Sequence, residues 1–227
     1  MLEINILTLF PQMFLGPLSE SIVNRAQEKE VVNINLINFR DFAKDKHKTV
    51  DDTPYGGGTG MVLKVDVIDE AISAIVGKNR KDYHIILMTP QGKRFNQKKA
   101  EELSRTYEKL ILICGHYEGF DERIREHLVD EEISLGDFVL SGGEIAAMAI
   151  TDAVIRLIPG ALGKDESSKE ESFSLKDEEG NTLLEYPQYT KPNEYKDWKV
   201  PDVLKSGNHA EIKKWRLEEA KKRTTKR

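Results

Sequence analysis

The sequence predicts an α/β domain built on a mainly parallel sheet, followed by a small helical C-terminal domain. Three observations carry this prediction. Five short apolar runs of strand length alternate with segments of helix length, the signature of strands joined by helical crossovers. Two of those runs open into loops bracketed by glycines, at Gly115 to Gly119 and again over Ser134 to Glu144. Past Gly163 the composition changes from apolar to acidic and then to basic.

The elements follow in order along the chain. Ile4 to Leu9 is the first strand, and Met13 to Glu28 is helix-like. Val31 to Ile37 forms the second strand, then Val65 to Val76 a helix. The apolar run His84 to Met88 is the third strand, followed by a helix over Asn96 to Tyr107. Leu110 to Cys114 is a fourth strand, Asp121 to Val129 a helix, and Phe138 to Leu140 a fifth short strand. Glu144 to Ile158 is a helix rich in alanine, which permits close packing, and Pro159 and Gly160 end it. The domain boundaries expected are 1–163 for the α/β domain, 164–182 for a flexible linker, and 183–227 for a small basic helical domain. Seven acidic residues fall between Lys164 and Asn181, with few large apolar groups, which is the composition of a linker.

Composition narrows the function classes. Hydrophobic residues make up 39% and charged residues 32%, as in an ordinary soluble protein. The start, MLEINILTLFPQMF, has no basic leading region and meets Pro11, so neither a secretory signal nor a membrane span is expected, and the protein reads as cytoplasmic. A single cysteine, Cys114, cannot close an internal disulfide, and at the end of an apolar strand it reads as a small buried hydrophobe rather than a nucleophile. The five histidines show no zinc-ligand spacing. Charge is unevenly placed: nine Lys or Arg and three Glu from Lys205 to Arg227 give +6, so the rest of the chain carries −11 of the net −5. Asn208 with Glu211 marks a capped helix start, and the next turns bring Lys213, Lys214 and Arg216 beside Trp215. Such a basic helix is either a solvated face or an RNA-binding element whose grip falls steeply with salt.

The glycine loops bring backbone close to a ligand. No G-x-G-x-x-G follows the first strand, and no G-x-x-x-x-G-K-[ST] occurs anywhere, so the usual dinucleotide and triphosphate apparatus is absent from the sequence. The loops carry Glu118, Asp137 and Glu144 instead. Their charge repels phosphate and suits a ligand with a positive centre or a neutral purine.

With those loops stand the glycine-rich Pro54-Tyr55-Gly56-Gly57-Gly58-Thr59-Gly60-Met61 and the stretches ICGHYEGFDER, SLGDFVLSGGE, YPQYTKP and SGNHAEIKKWR. In this order they cover nearly the whole chain, which resembles the bacterial tRNA (guanine-37-N1)-methyltransferases of the knotted SPOUT class. The resemblance implies a trefoil knot in the C-terminal part of the α/β domain, S-adenosylmethionine as methyl donor, tRNA as substrate, and a homodimer with each active site shared between subunits. For the cofactor it implies contacts from Thr89, Pro90 and Gly92, from Gly115, Tyr117, Glu118 and Gly119, from Leu135, Gly136, Asp137, Phe138, Val139 and Leu140, and from Gly142 and Gly143. Mg²⁺ use in the family makes Glu118 a further candidate, as an ion ligand.

Guanine N1 is a poor nucleophile until its proton leaves, and charge then builds on O6, so a base and a cationic partner are needed. The resemblance assigns these to Glu171, where relatives usually have aspartate, and Arg156. Glu170 beside it keeps the plainer reading of a solvated acidic run in view. The mixed-charge segment RDFAKDKHKTVDD supplies Arg40, Lys46, His47 and Lys48 as tRNA contacts by resemblance, beside Lys213, Lys214 and Arg216. Relatives commonly continue some tens of residues past GNHAEIxxWR, so a shorter RNA-binding domain is expected here. A noncatalytic RNA-binding regulator and a small-molecule methyltransferase remain the competing readings.

Overall fold

The computed structural model describes residues 1–162 and 171–226, which divide into two compact units, Met1–Gly163 and Lys164–Arg227. In the first unit the main strands are β1 (Leu2–Thr8), β2 (Val32–Asn38), β5 (His84–Arg94), β6 (Lys109–Cys114) and β7 (Glu131–Ser134), with a hairpin of β3 (Asp51–Asp52) and β4 (Val62–Leu63). Its helices are α1 (Leu15–Leu18), α2 (Ser21–Glu28), α3 (Val65–Val76), α4 (Gln97–Thr106), α5 (Glu122–His127) and α6 (Glu144–Ile155). The five main strands form one sheet in the order β2-β1-β6-β5-β7, and every pair is parallel.

Parallel sheets bury both faces, so their central strands read as continuous apolar runs rather than alternating ones. Here each central strand divides its residues between two cores. Ile4, Ile6, Ile86, Met88, Leu110, Leu112 and Cys114 pack on the face covered by α2, α4 and α6. Leu7, Ile85, Leu87, Ile111 and Ile113 pack on the face covered by α3 and α5. Each such Leu or Ile contributes about 1.5–3 kcal/mol of transfer free energy.

Two expected elements differ. The helix expected over Met13 to Glu28 is broken into a 3-10 turn at Pro11–Phe14, then α1 and α2. Pro17 cannot donate a helical hydrogen bond, and Ser21 takes a φ of 55°, which re-aims the chain into α2. The strand expected at Phe138 to Leu140 lies instead at Glu131–Ser134, where β7 forms the sheet edge. Its two glutamates disguise it. Glu131 is bonded by Lys99 Nζ (2.8 Å) and His84 Nε2 (3.2 Å), and Glu132 by Arg125 Nη2 (2.7 Å), so charge sits on an edge strand at little cost. Phe138 and Val139 are exposed at 55% and 84% and cannot belong to the sheet.

The second unit holds β8 (Glu194–Tyr195), β9 (Trp198–Lys199), α7 (Asp202–Lys205) and α8 (His209–Thr225). Asn208 caps α8 as its sequence requires, its side chain accepting from the N–H groups of Ala210 and Glu211. A small core of Leu175, Leu183, Tyr186, Leu217 and Ala220 packs against that helix. Of the linker expected over 164–182, residues 164–170 lie outside the described residues. The rest is hydrogen-bonded into this unit: Phe173 N–H donates to Leu183 O, Leu183 N–H to Leu175 O, and Lys176 bridges Thr182. The described part of that segment is therefore a closed turn, with Leu175 as an apolar anchor that the acidic composition obscures.

Candidate functional site

Parallel sheets place ligands beyond the C-terminal ends of their strands, where neighbouring connections diverge. After β5 the chain crosses to β6, and after β6 it passes to the far side of β5 to form β7. Between these exits lies a cleft of about 310 Å³. Its walls are Met88 to Gln91, Gly115 to Phe120, and Ile133 to Gly143 excluding Asp137, with Glu122, Arg125 and Ala146 beside them.

Each wall has a local cause. The β5–β7 pairing skips from Met88 to Lys93, so Thr89, Pro90 and Gln91 stand out of the ladder toward the cleft. Tyr117 holds a φ of 62°, an uncommon backbone state for a bulky side chain. Its loop is tied to the return strand of the glycine-rich hairpin, because Glu118 N–H donates to Met61 O (3.0 Å) and Leu63 N–H to Gly119 O (2.9 Å). Ser134 is buried and closes the third wall's first turn, its hydroxyl 3.0 Å from Gly136 O. At the floor Gly143 N–H donates to Gly115 O (2.9 Å), joining the third wall to the second.

Arg125 brings a cation to the cleft, its Nη1 bonded to Gln91 at 2.7 Å and its Nη2 paired with Glu132 at 2.7 Å, while its buried Nε has no hydrogen-bond partner among the described residues. Glu118 and Glu122 add acidic side chains to the lining. The lining therefore suits a neutral or cationic ligand better than a phosphate. Among the described residues no three His, Cys, Asp or Glu side chains converge as a metal-ligand set. The side chains around Glu118 do not build a dedicated ion cage, and an ion there would take most of its ligands from water or substrate.

The sequence-predicted cofactor residues Thr89, Pro90, Gly115, Tyr117, Glu118, Gly119, Leu135, Gly136, Phe138, Val139, Leu140, Gly142 and Gly143 all line the cleft. Gly92 and Asp137 do not. A Cβ on Gly92 would stand 2.5 Å from the backbone of Glu132 and Ile133, so this glycine serves the passage of β5 beneath β7. Asp137 is turned to solvent and pairs with Arg94.

Arg156 follows the last turn of α6. The 12 residues of that helix set it about 18 Å from the cleft end, at about 1.5 Å rise per residue. Glu171 belongs to the second unit, where its carbonyl accepts from Ser174 and Leu175. Arg40 is half-buried and donates to Lys48 O (3.0 Å), while Lys46, His47 and Lys48 are exposed on a loop organised by Asp45. Lys213 and Lys214 are exposed on α8. Arg216 instead lies over the Tyr186 ring, 4.6 Å from its centroid, because the apolar side of α8 needs covering.

Sequence reasoning gave no role to Thr8 or His116 and counted Glu144 only among the acidic loop residues; the fold brings the three together at the cleft. Glu144, 1% exposed, accepts from the Thr8 hydroxyl (2.7 Å) and lies 2.8 Å from His116 Nε2. The available signal was a carboxylate opening the mostly apolar, alanine-rich first turns of a helix. Burial, and secondarily the negative charge of Glu144, push the Cys114 thiol well above its ordinary range, as expected of a packing residue. In the native protein Cys114 is expected to resist a thiol reagent such as dithionitrobenzoate and to react stoichiometrically in denaturant; rapid native labelling would contradict its burial.

The family model described as tRNA (Guanine-1)-methyltransferase TrmD matches residues 2–227. A protein of Bacillus pumilus (strain SAFR-032) named tRNA (guanine-N(1)-)-methyltransferase is 57% identical over 223 residues, covering 98% of this chain and 88% of its own. The protein of the same name from Geobacter sp. (strain M21) is 58% identical, covering 98% and 86%. That of Dehalococcoides mccartyi (strain CBDB1) is 54% identical, covering 100% and 88%.

Proposed function

Since the chain belongs to the tRNA (guanine-1)-methyltransferase family, and is thus an enzyme that methylates N1 of guanine in tRNA, we propose that its target is guanine 37, just 3′ of the anticodon, in tRNAs where another guanine precedes it. The carrying observation is the cleft itself: three loops at the ends of β5, β6 and β7, lined by backbone and by the acidic Glu118 and Glu122, with Arg125 paired to Glu132. S-adenosylmethionine, when bound, supplies an electrophilic methyl on a sulfonium. Backbone groups of Gly115, Leu135, Gly136 and Leu140 hold its adenosine in this reading, and Glu118 faces its positive end.

Glu171 takes the N1 proton of guanine onto its carboxylate, while Arg156 faces O6, where negative charge gathers as that proton leaves. A methyl donor held in the cleft would supply the methyl group to N1 once its proton has gone, its sulfonium leaving as the neutral thioether. Arg156 stands a helix length from the cleft of its own chain. The reading therefore assigns each active site to two subunits of a homodimer. Exposed Phe10, Met13, Leu15 and Ile145 around the start of β1's exit and α6 support such an interface. The tight backbone passages at Gly92 and Gly143 support a trefoil knot around the cleft. Arg40, Lys46, His47, Lys48, Lys213, Lys214 and Arg216 supply contacts to the tRNA in this reading, Arg40 and Arg216 from half-buried positions. Among the described residues no helix is long and apolar enough to cross a membrane, and the tRNA substrate supports reading the protein as cytoplasmic.

Incubation with methyl-labelled S-adenosylmethionine and paired tRNA transcripts tests this reading. Label is expected in the transcript with guanine at position 37 and not in the one with adenine there. Equal label in both, or in neither, overturns it.

A further inference from the structure

Glu144 is a buried carboxylate that the methyl-transfer chemistry does not use. Removing such a group from water is costly unless its oxygens are bonded, and both are: Oε1 accepts from Thr8 (2.7 Å) at the end of β1, and Oε2 meets His116 Nε2 (2.8 Å) in the second cleft wall. A carboxylate only accepts, so this contact puts the proton on Nε2 of His116. As the first residue of α6, the carboxylate also sits at the positive end of a 12-residue helix. The imidazole is held on another side by Phe10, edge to face at 4.7 Å, and Phe10 N–H in turn donates to the Thr8 hydroxyl (2.9 Å).

The third wall is fitted to this cluster. A Cβ on Gly142 would stand 2.3 Å from His116 Nε2 and 2.5 Å from Glu144 Oε2. His116 and Gly142 line the cleft, whereas Thr8 and Glu144 do not. One carboxylate thus fixes β1, the Gly115 to Gly119 loop and the glycine turn into α6 relative to one another.

We propose that Glu144 is a positioning residue for the methyl-donor cleft, acting through His116 and anchored by Thr8. The inference rests on the reading of the cleft as the S-adenosylmethionine site. Its consequence is that groups outside the cleft set the affinity for the methyl donor. In the full chain, Thr8→Val keeps the side-chain shape but removes the hydroxyl, and Thr8→Ser keeps the hydroxyl. Calorimetric titration with S-adenosylmethionine, at a temperature where circular dichroism shows each variant folded, is expected to give a Kd raised roughly tenfold for Thr8→Val and less than threefold for Thr8→Ser. Glu144→Leu is expected to raise Kd further, and adding Thr8→Val to Glu144→Leu to change it no more, since both remove one interaction outside the cleft lining. At saturating S-adenosylmethionine kcat of Thr8→Val returns to within threefold of the starting enzyme, and the Kd for tRNA transcript is unchanged. Thr8→Val binding the donor as tightly as the starting enzyme, or losing only folded fraction with Kd intact, overturns the proposal. Failure of the unsubstituted enzyme to bind the donor at all overturns the underlying reading of the cleft instead.

Discussion

Glu171→Gln is expected to slow a single turnover of methyl transfer at least about a hundredfold with tRNA and S-adenosylmethionine saturating, while the Kd of each stays within about threefold. Guanine N1 carries its proton at neutral pH and offers no lone pair to a methyl group until that proton leaves. A positioned base contributes roughly 10²–10⁴ to such a step. Glutamine matches glutamate in shape and cannot take the proton, so the substitution separates chemistry from fit. Glu171→Asp shortens the arm by one methylene to the residue usual in relatives. If the second unit holds the carboxylate where an aspartate would serve, Glu171→Asp stays active; a misplacement of about 1 Å costs on the order of a hundredfold. The shared-site reading adds a mixing experiment. A chain disabled in its cleft by Gly142→Val and a chain carrying Glu171→Gln are each inactive alone, and mixed dimers regain activity when cleft and base come from different subunits. An unchanged single-turnover rate for Glu171→Gln removes it as the base.

How much of this was legible in the sequence depends on how local each cause is. Strand β6 and the start of β5 were readable because both faces of a parallel sheet are covered there, so Leu110 to Cys114 and Ile85 to Met88 form unbroken apolar runs, while β1 and the edge strand β2 were readable from the alternations Ile4-Asn5-Ile6 and Val32-Asn33-Ile34-Asn35. The edge strand β7 was not, since Glu131 and Glu132 become acceptable in a strand only through Lys99, His84 and Arg125, which arrive from other elements. The break at Ser21 is a backbone state that side-chain periodicity does not encode. The same division runs through the site. Glycine loops announced the cleft walls, and most of the residues named from them line it. Gly92 announced itself in the same way, and what the structure shows there is a close approach to the neighbouring backbone of Glu132 and Ile133. The Thr8–Glu144 contact joins residues 136 positions apart, a pairing that spacing along the chain cannot express.

Gly92→Ala is expected to destabilise the first unit by about 3 kcal/mol, near the upper end for a small-to-large change in a packed interior. The added methyl would lie 2.5 Å from Glu132 C and Ile133 N and 2.6 Å from Glu132 O, all backbone atoms without a rotamer to yield. Relief therefore requires β7 to move, which strains the pairs Lys93↔Ile133 and Arg94↔Ser134 just past the Met88/Lys93 irregularity. Because Ile133 and Ser134 lead into the third cleft wall, donor affinity falls with stability. Both tryptophans, Trp198 and Trp215, lie in the second unit, so their fluorescence is blind to this change. Cys114 supplies the reporter, buried at the end of β6 in the affected sheet. In the regime where opening equilibrates before labelling, its rate tracks the open population, and about 3 kcal/mol corresponds to labelling roughly a hundredfold faster. Gly16→Ala is the control: nothing lies within 4 Å of the added methyl and it sits in α1, where alanine is the better helix former. Its labelling rate is expected within about threefold of the starting protein. Gly92→Ala labelling no faster than Gly16→Ala would mean that β5 and β7 can part at that point without cost, and the argument that their close passage shapes the cleft would fall with it.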